Sequence, residues 1–97
     1  MATYISLANL TDDGVKGIKE LPDRLKGLEQ GIQQAGGKLI GWYLTMGQYD
    51  AVVIAEFPDD QAAVRTILSV AGQGRVRTTT MKAFTRQEAE AIARSMP

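Results

Sequence analysis

The 97-residue chain carries eleven basic and eleven acidic side chains, no histidine and no cysteine. Zero net charge without a long run of either sign excludes a polybasic nucleic-acid footprint or membrane patch. The missing histidine and cysteine exclude a haem-proximal imidazole, an imidazole zinc site, a Ser-His triad, disulfides and thiolate chemistry. No cofactor is expected. Met1–Ser6 lacks the charged and apolar regions of a signal peptide, and no apolar run approaches the roughly 20 residues of a membrane span. A cytoplasmic protein is expected, with one domain over residues 1–97 and a core small enough to gain from a partner subunit.

Thr3 to Ala8 alternates and is predicted as the first strand. Thr11-Asp12-Asp13-Gly14 offers acceptors to free N–H groups and opens a helix. Val15, Ile18, Leu21, Leu25, Leu28, Ile32 and Ala35 form one stripe through two helical pieces, with a break near Glu20 because Pro22 fits only a first turn. Gly36-Gly37 supplies the stop. Lys38–Thr45 is the second strand, Leu39, Gly41 and Tyr43 alternating with Ile40, Trp42 and Leu44. Tyr49–Phe57 is the third, joined to it by a hairpin in which Gly47 supplies a positive φ and which Pro58-Asp59 follows. Asp59 caps a helix with Val64, Ile67, Leu68 and Ala71 on its expected apolar stripe, ended by Gly72-Gln73-Gly74. Arg75–Phe84 is the fourth strand, and neither of its faces is singled out as inward. Thr85-Arg86-Gln87-Glu88 is a capping box opening a short last helix with Ala89, Ile92, Ala93 and Met96 at helical spacing.

The order β-α-β-β-α-β predicts an α+β, ferredoxin-like domain: a four-stranded antiparallel sheet, strands one and three central, both crossover helices on one face. The second and third strands are apolar on both sides, which leaves a bare apolar sheet face for which Val52, Ile54, Trp42 and Tyr4 are the candidates. Two such faces stacking in a homodimer is the economical solution.

Gly47-Gln48-Tyr49-Asp50 before an apolar strand and Pro58-Asp59, with Tyr4-Ile5, Thr11–Gly14, Gly36-Gly37 and Gly74–Thr78 in the same order, resembles the GYD domain family. The resemblance covers nearly the whole chain. It implies a dimeric α+β barrel and marks Gly47, Tyr49 and Asp50 as motif positions without implying an activity.

Asp50, with the Tyr49 phenol beside it, offers a base or ligand acceptor at the mouth of the barrel. Equally, Gly47, Tyr49 and Asp50 shape the hairpin, and this reading is favoured because Asp commonly stabilises turns through nearby backbone. Glu56 lies on the face of Asp50 but roughly 20 Å along the strand, too far for a glycosidase-type pair. Paired with Arg77 or Lys82, Glu56 could belong to a ligand pocket or a dimer ion pair, and an ion pair fixing register or a rim-solvated position is the expected use of that carboxylate. Arg75 and Arg77 beside Thr78–Thr80 offer a fork and hydroxyls to a carboxylate or phosphate, or form a half-exposed terminal strand. Trp42 and Tyr43 point to opposite sides. The ligand-binding candidates are therefore Tyr4, Trp42, Tyr49, Asp50, Glu56 and Arg77, around a cleft between helices and sheet. The expected function is a homodimeric small-molecule-binding or accessory protein. A cofactor-free monooxygenase- or isomerase-like enzyme using Asp50, Glu56, Tyr49 or Lys82 for proton transfer is the alternative, and a structural dimerisation module the second.

Overall fold

The computed structural model describes all residues from 1 to 97. Four strands, β1 (Ala2–Leu10), β2 (Lys38–Leu44), β3 (Ala51–Phe57) and β4 (Val76–Ala83), form an antiparallel sheet in the order β2-β3-β1-β4. Helices α2 (Leu21–Gln34) and α3 (Asp60–Gly72) cover one face, after a short α1 (Asp12–Lys16) and a 3₁₀ turn at Ile18–Glu20. This is the expected ferredoxin-like α+β arrangement with β1 and β3 central, and the molecule measures 52 × 31 × 18 Å, about two layers thick.

The ends of the helices follow local chemistry. Thr11 accepts the Gly14 N–H at 3.2 Å and Asp59 accepts that of Ala62 at 2.8 Å. The Thr85–Glu88 capping box opens α4 (Arg86–Ser95). Gly36, at φ 82°, closes α2: its N–H reaches the Gln33 carbonyl at 3.0 Å, and that of Gly37 reaches Ile32 at 2.9 Å, the paired bonds of a glycine-terminated helix. Gly47, at φ 115°, sits in the β2–β3 connection, which Thr45 N–H closes on the Asp50 carbonyl at 2.8 Å.

Four expectations are corrected. A bulge between Leu39 and Gly41 inserts Ile40, half exposed, and so brings Leu39, Trp42 and Leu44 into register with Ala55, Val53 and Ala51 on the helix-covered face. Trp42 therefore does not belong to the bare face. Nor does Tyr4, which pairs with Ala55 and is buried under the helices; Val52 and Ile54 do lie on the bare face, opposite Leu7 and Ile5. The third correction concerns α3, where the residues buried are the small ones, Ala62 and Ala63, while Val64 and Leu68 face outward. The Asp59 cap fixes where the helix starts and hence its phase. In the first helical stripe Val15 and Ile18 are likewise exposed, because the break at Gly17 and the 3₁₀ turn resets the phase before Leu21.

Tyr4, Ile32, Ala55, Phe57, Ala62 and Ala63 form the core, with the Tyr4 and Phe57 rings edge to face at 5.7 Å. Every buried strand residue (Tyr4, Ala8, Ala51, Ala55 and Phe57) points to the helix side. On the other face Ile5, Leu7, Val52 and Ile54 are only half-buried, Met81 is exposed, and the exposed Tyr43 ring lies over the bare Cα of Gly41. All ten residues of α4 are exposed, including Ile92.

Candidate functional site

A cavity of about 780 Å³ lies between the sheet and the two long helices. Its floor is the helix-facing register of the sheet: Tyr4, Ser6 and Ala8 of β1, Ala51, Val53, Ala55 and Phe57 of β3, and Thr78 and Thr80 of β4, with Trp42 at the β2 side. Leu21, Leu25 and Leu28 of α2 and Thr66, Ile67 and Val70 of α3 form its roof. Ala62 and Ala63 bring α3 close to the sheet at the end where Ile32, Phe57 and Tyr4 pack. Away from that end, small floor residues such as Ser6, Ala8 and Ala51 leave room. The Ser6 and Thr80 hydroxyls bond each other at 2.8 Å across β1 and β4, which satisfies both within a largely apolar floor.

The opposite end of the cavity is polar. Asp50 sits there because its backbone N–H donates to the Ala8 carbonyl at 2.8 Å and its carboxylate Oδ2 accepts the Leu10 N–H at 2.8 Å, tying the β2–β3 connection to the end of β1. Replacing Asp50 by Ala leaves that half-buried Leu10 N–H without its acceptor. The expected loss is about 1–3 kcal/mol of unfolding free energy, read by urea denaturation; a loss below a few tenths of this would show that water replaces the carboxylate.

Arg24 of α2 reaches the same end. Its side chain is only 16% exposed, one guanidinium N–H donates to the Gly14 carbonyl at 3.2 Å, another to the exposed Glu20 carboxylate at 3.3 Å, and the buried Nε has no partner. Gly17 makes the seat: a Cβ there would stand 2.1 Å from Arg24 Nη2. Gly14 in turn must be glycine because a Cβ would lie 2.2 Å from the Arg75 carbonyl oxygen, where Thr11 stitches α1 to the α3–β4 connection through its N–H to Arg75 at 3.0 Å and its hydroxyl to Gly74 at 2.6 Å.

Of the six ligand-binding candidates, the cavity brings together Tyr4, Trp42 and Asp50. Tyr49 stays in the connection, its carbonyl accepting the Thr45 hydroxyl at 2.6 Å. Glu56 lies on the uncovered face between Thr3 and Lys38, and it makes no ion pair with Arg77 or Lys82. Arg77 folds over the sheet edge to the Ala71 carbonyl at 3.2 Å. Arg24 escapes a reading of the sequence because a lone arginine in a helix reads as solvated surface; Gly14 and Gly17, ten and seven residues upstream, are the only signal pointing to it.

The Tyr4 hydroxyl donates to Asp60 Oδ1, which also pairs with Lys82 Nζ at 3.2 Å. The bond to Asp60, with burial second, pushes the Tyr4 phenol up from 10.0 to about 12, while Tyr4 first and Lys82 second hold the Asp60 carboxyl below its usual value. A raised folded pKa gives stability that is complete below pH 10 and drains away as pH rises through about 12. The depressed Asp60 value gives stability present above the ordinary carboxylate range and lost as pH falls through the folded pKa. In urea unfolding between about pH 8 and about pH 11.5, Tyr4→Phe is therefore expected to show a shallower alkaline decline than the parent; parallel curves would refute the link.

A ferredoxin-like α+β domain with a cavity between its sheet and its helices is the class of protein these features define. The chain belongs to the GYD domain family, which matches residues 4–93. It is 35% identical over 85 residues to the glutamine synthetase and cystathionine beta-lyase binding protein of Thermus thermophilus, a match spanning 87% of this chain and 90% of that one. Its fold also resembles a crystal structure of a Thermus thermophilus protein, with a TM-score of 0.54 at 21% identity, over 88% of this chain and 95% of that one.

Proposed function

We propose that the protein is a non-catalytic accessory protein which binds a small molecule in the cavity between sheet and helices and works as a homodimer joined through the uncovered sheet face. The observation that carries the reading is the cavity itself, of a volume usual for small-molecule sites, with the larger part of its wall apolar and polar groups such as Thr66, Thr78 and Gln73 set among them. A binding role in place of catalysis is supported by the state of the polar groups. The bond to Asp60 keeps the Tyr4 phenol protonated near neutrality, and Asp50 is engaged by backbone. The Thermus relative, named for binding two enzymes, supports an accessory role. The uncovered face and the exposed apolar side of α4 support pairing of two copies, since an apolar sheet face of this extent is unusual on a free monomer.

Native mass spectrometry of protein purified from its own host tests both parts. A species of twice the 10.5 kDa chain mass carrying a reproducible small addition is expected. A bare dimer that is also unshifted in melting temperature across a metabolite panel would remove the binding part, and a stable monomer would remove the pairing. No helix is long and apolar enough to cross a membrane.

A further inference from the structure

We infer that α4 is an exchanged arm: in the pair of copies, each copy lays the Ile92 side of its α4 on the uncovered sheet face of the other. This rests on the pairing part of the reading above and names the surface that α4 meets.

No element of its own chain covers α4. All ten of its residues are exposed, and its side-chain bonds stay local: the Thr85–Glu88 cap, the Arg86–Glu90 ion pair and the Ser95 hydroxyl on the Ile92 carbonyl. The helix also projects. The radius of gyration is 14.6 Å, against about 12.5 Å for a compact chain of this length. The longest dimension is 52 Å, against roughly 30 Å for the nine-residue β1. A ten-residue helix adds about 15 Å. It is carried outward because the link from β4 is only Phe84 and Thr85, and the cap holds Thr85 extended at φ −62° and ψ 164°. Isolated helices shorter than about 12–15 residues are marginal in water, so an ordered α4 calls for cover from outside the chain.

The side that needs the cover is apolar. Ala89, Ile92 and Ala93, with Met96 just beyond, recur at helical spacing, while Arg86, Glu88, Glu90 and Arg94 lie off that stripe. These four charges cancel, so an anionic membrane surface has nothing to attract. The chain itself offers a seat of matching kind. On the uncovered sheet face Ile5 and Leu7 of β1 stand beside Ile54 and Val52 of β3, an apolar strip two strands and so about 10 Å wide, the diameter of one helix. The exposed Tyr43 on β2 and Met81 on β4 border it. Arm and seat occur once in each chain, so a two-fold pair that exchanges arms covers both surfaces in both copies. A foreign protein seated on α4 would leave the sheet strip bare.

The protein has no cysteine, so introduced ones report contacts without interference. Full-length Ile92→Cys is mixed with isotopically labelled Leu7→Cys or Ile5→Cys and oxidised in air, so that any link from α4 to the strip joins two copies. Such links are expected to form at least about tenfold faster than with Val64→Cys, which faces outward on α3, because a disulfide needs Cα atoms within about 7 Å. As a second readout, Ile92→Gln, which keeps helix propensity, is expected to raise the dimer dissociation constant at least about tenfold in sedimentation velocity, while Ala91→Gln on the opposite side of α4 leaves it unchanged. A dimer in which neither strip position links to residue 92, or whose affinity Ile92→Gln does not change, overturns the exchange and leaves the pairing reading standing. A chain carrying both Ile92→Cys and Leu7→Cys that links to itself at 10.5 kDa overturns it in favour of α4 folding over its own sheet. Protein that stays monomeric at every concentration overturns both readings together.

Discussion

Phe57→Ala is expected to lower the unfolding free energy by about 3–5 kcal/mol, the largest loss from any single truncation in the chain. Phe57 is only 4% exposed and ends β3 at the point where three elements meet. Its ring stands edge to face on Tyr4, and a Cβ placed on Gly37 would lie 3.0 Å from Phe57 Cδ1 and 3.1 Å from Ile32 Cγ2, so there is no slack into which neighbours can collapse. Gly37 cannot move in either, because its Cα is held against the Glu56 carbonyl, which a Cβ would approach to 2.4 Å. With so few residues fully buried, most of a stability of about 5–15 kcal/mol rests on this cluster. Urea unfolding checks the expectation, with the exposed Leu68→Ala as a control expected to change stability by less than about 0.5 kcal/mol. A Phe57→Ala loss under about 1 kcal/mol would mean that the sheet and helices repack around the missing ring.

Ile54→Glu is expected to convert a dimer into a folded monomer. Ile54 lies in the middle of β3, with Ile5 opposite it on β1 and Gly41 on β2, so it occupies the centre of the uncovered face. If two such faces stack, a glutamate there must enter the interface unpaired, and the penalty of several kcal/mol exceeds what the neighbouring contacts return. The dissociation constant should rise by about a hundredfold or more. Sedimentation velocity reads the mass, while circular dichroism reads the fold, which should persist because Ile54 does not touch the core under the helices. The parallel change Trp42→Glu should behave oppositely, disturbing the cavity while leaving the dimer, because the β2 bulge puts Trp42 on the helix side. A dimer that survives Ile54→Glu would move the interface elsewhere, and the exposed apolar side of α4 would be the next place to look.

The same pair of residues illustrates what a one-dimensional reading can and cannot reach. Alternation places Ile54 correctly because β3 is regular from Ala51 to Phe57 and nothing interrupts its period of two. Trp42 is misplaced because one extra residue, Ile40, shifts every later side chain of β2 to the other face. In α3 the error has a different source. Apolar stripes are read by weighting large residues, whereas a helix that approaches a sheet closely buries its small ones, Ala62 and Ala63, and turns Val64 and Leu68 outward. Asp50 was legible as a turn residue, yet its bond to Leu10 spans 40 positions. The links from Tyr4 to Asp60 and from Ser6 to Thr80 span 56 and 74.

Sequence by itself determined the element order, the ferredoxin-like topology, the family and the helix ends, because caps, glycine stops and strand periods act within a few residues along the chain. Tertiary structure alone decided which sheet face each aromatic occupies, where the cavity lies and why Arg24 is seated against Gly14 and Gly17. Those outcomes depend on register between strands and on how closely each helix approaches the sheet, which are set by contacts between residues distant in the chain.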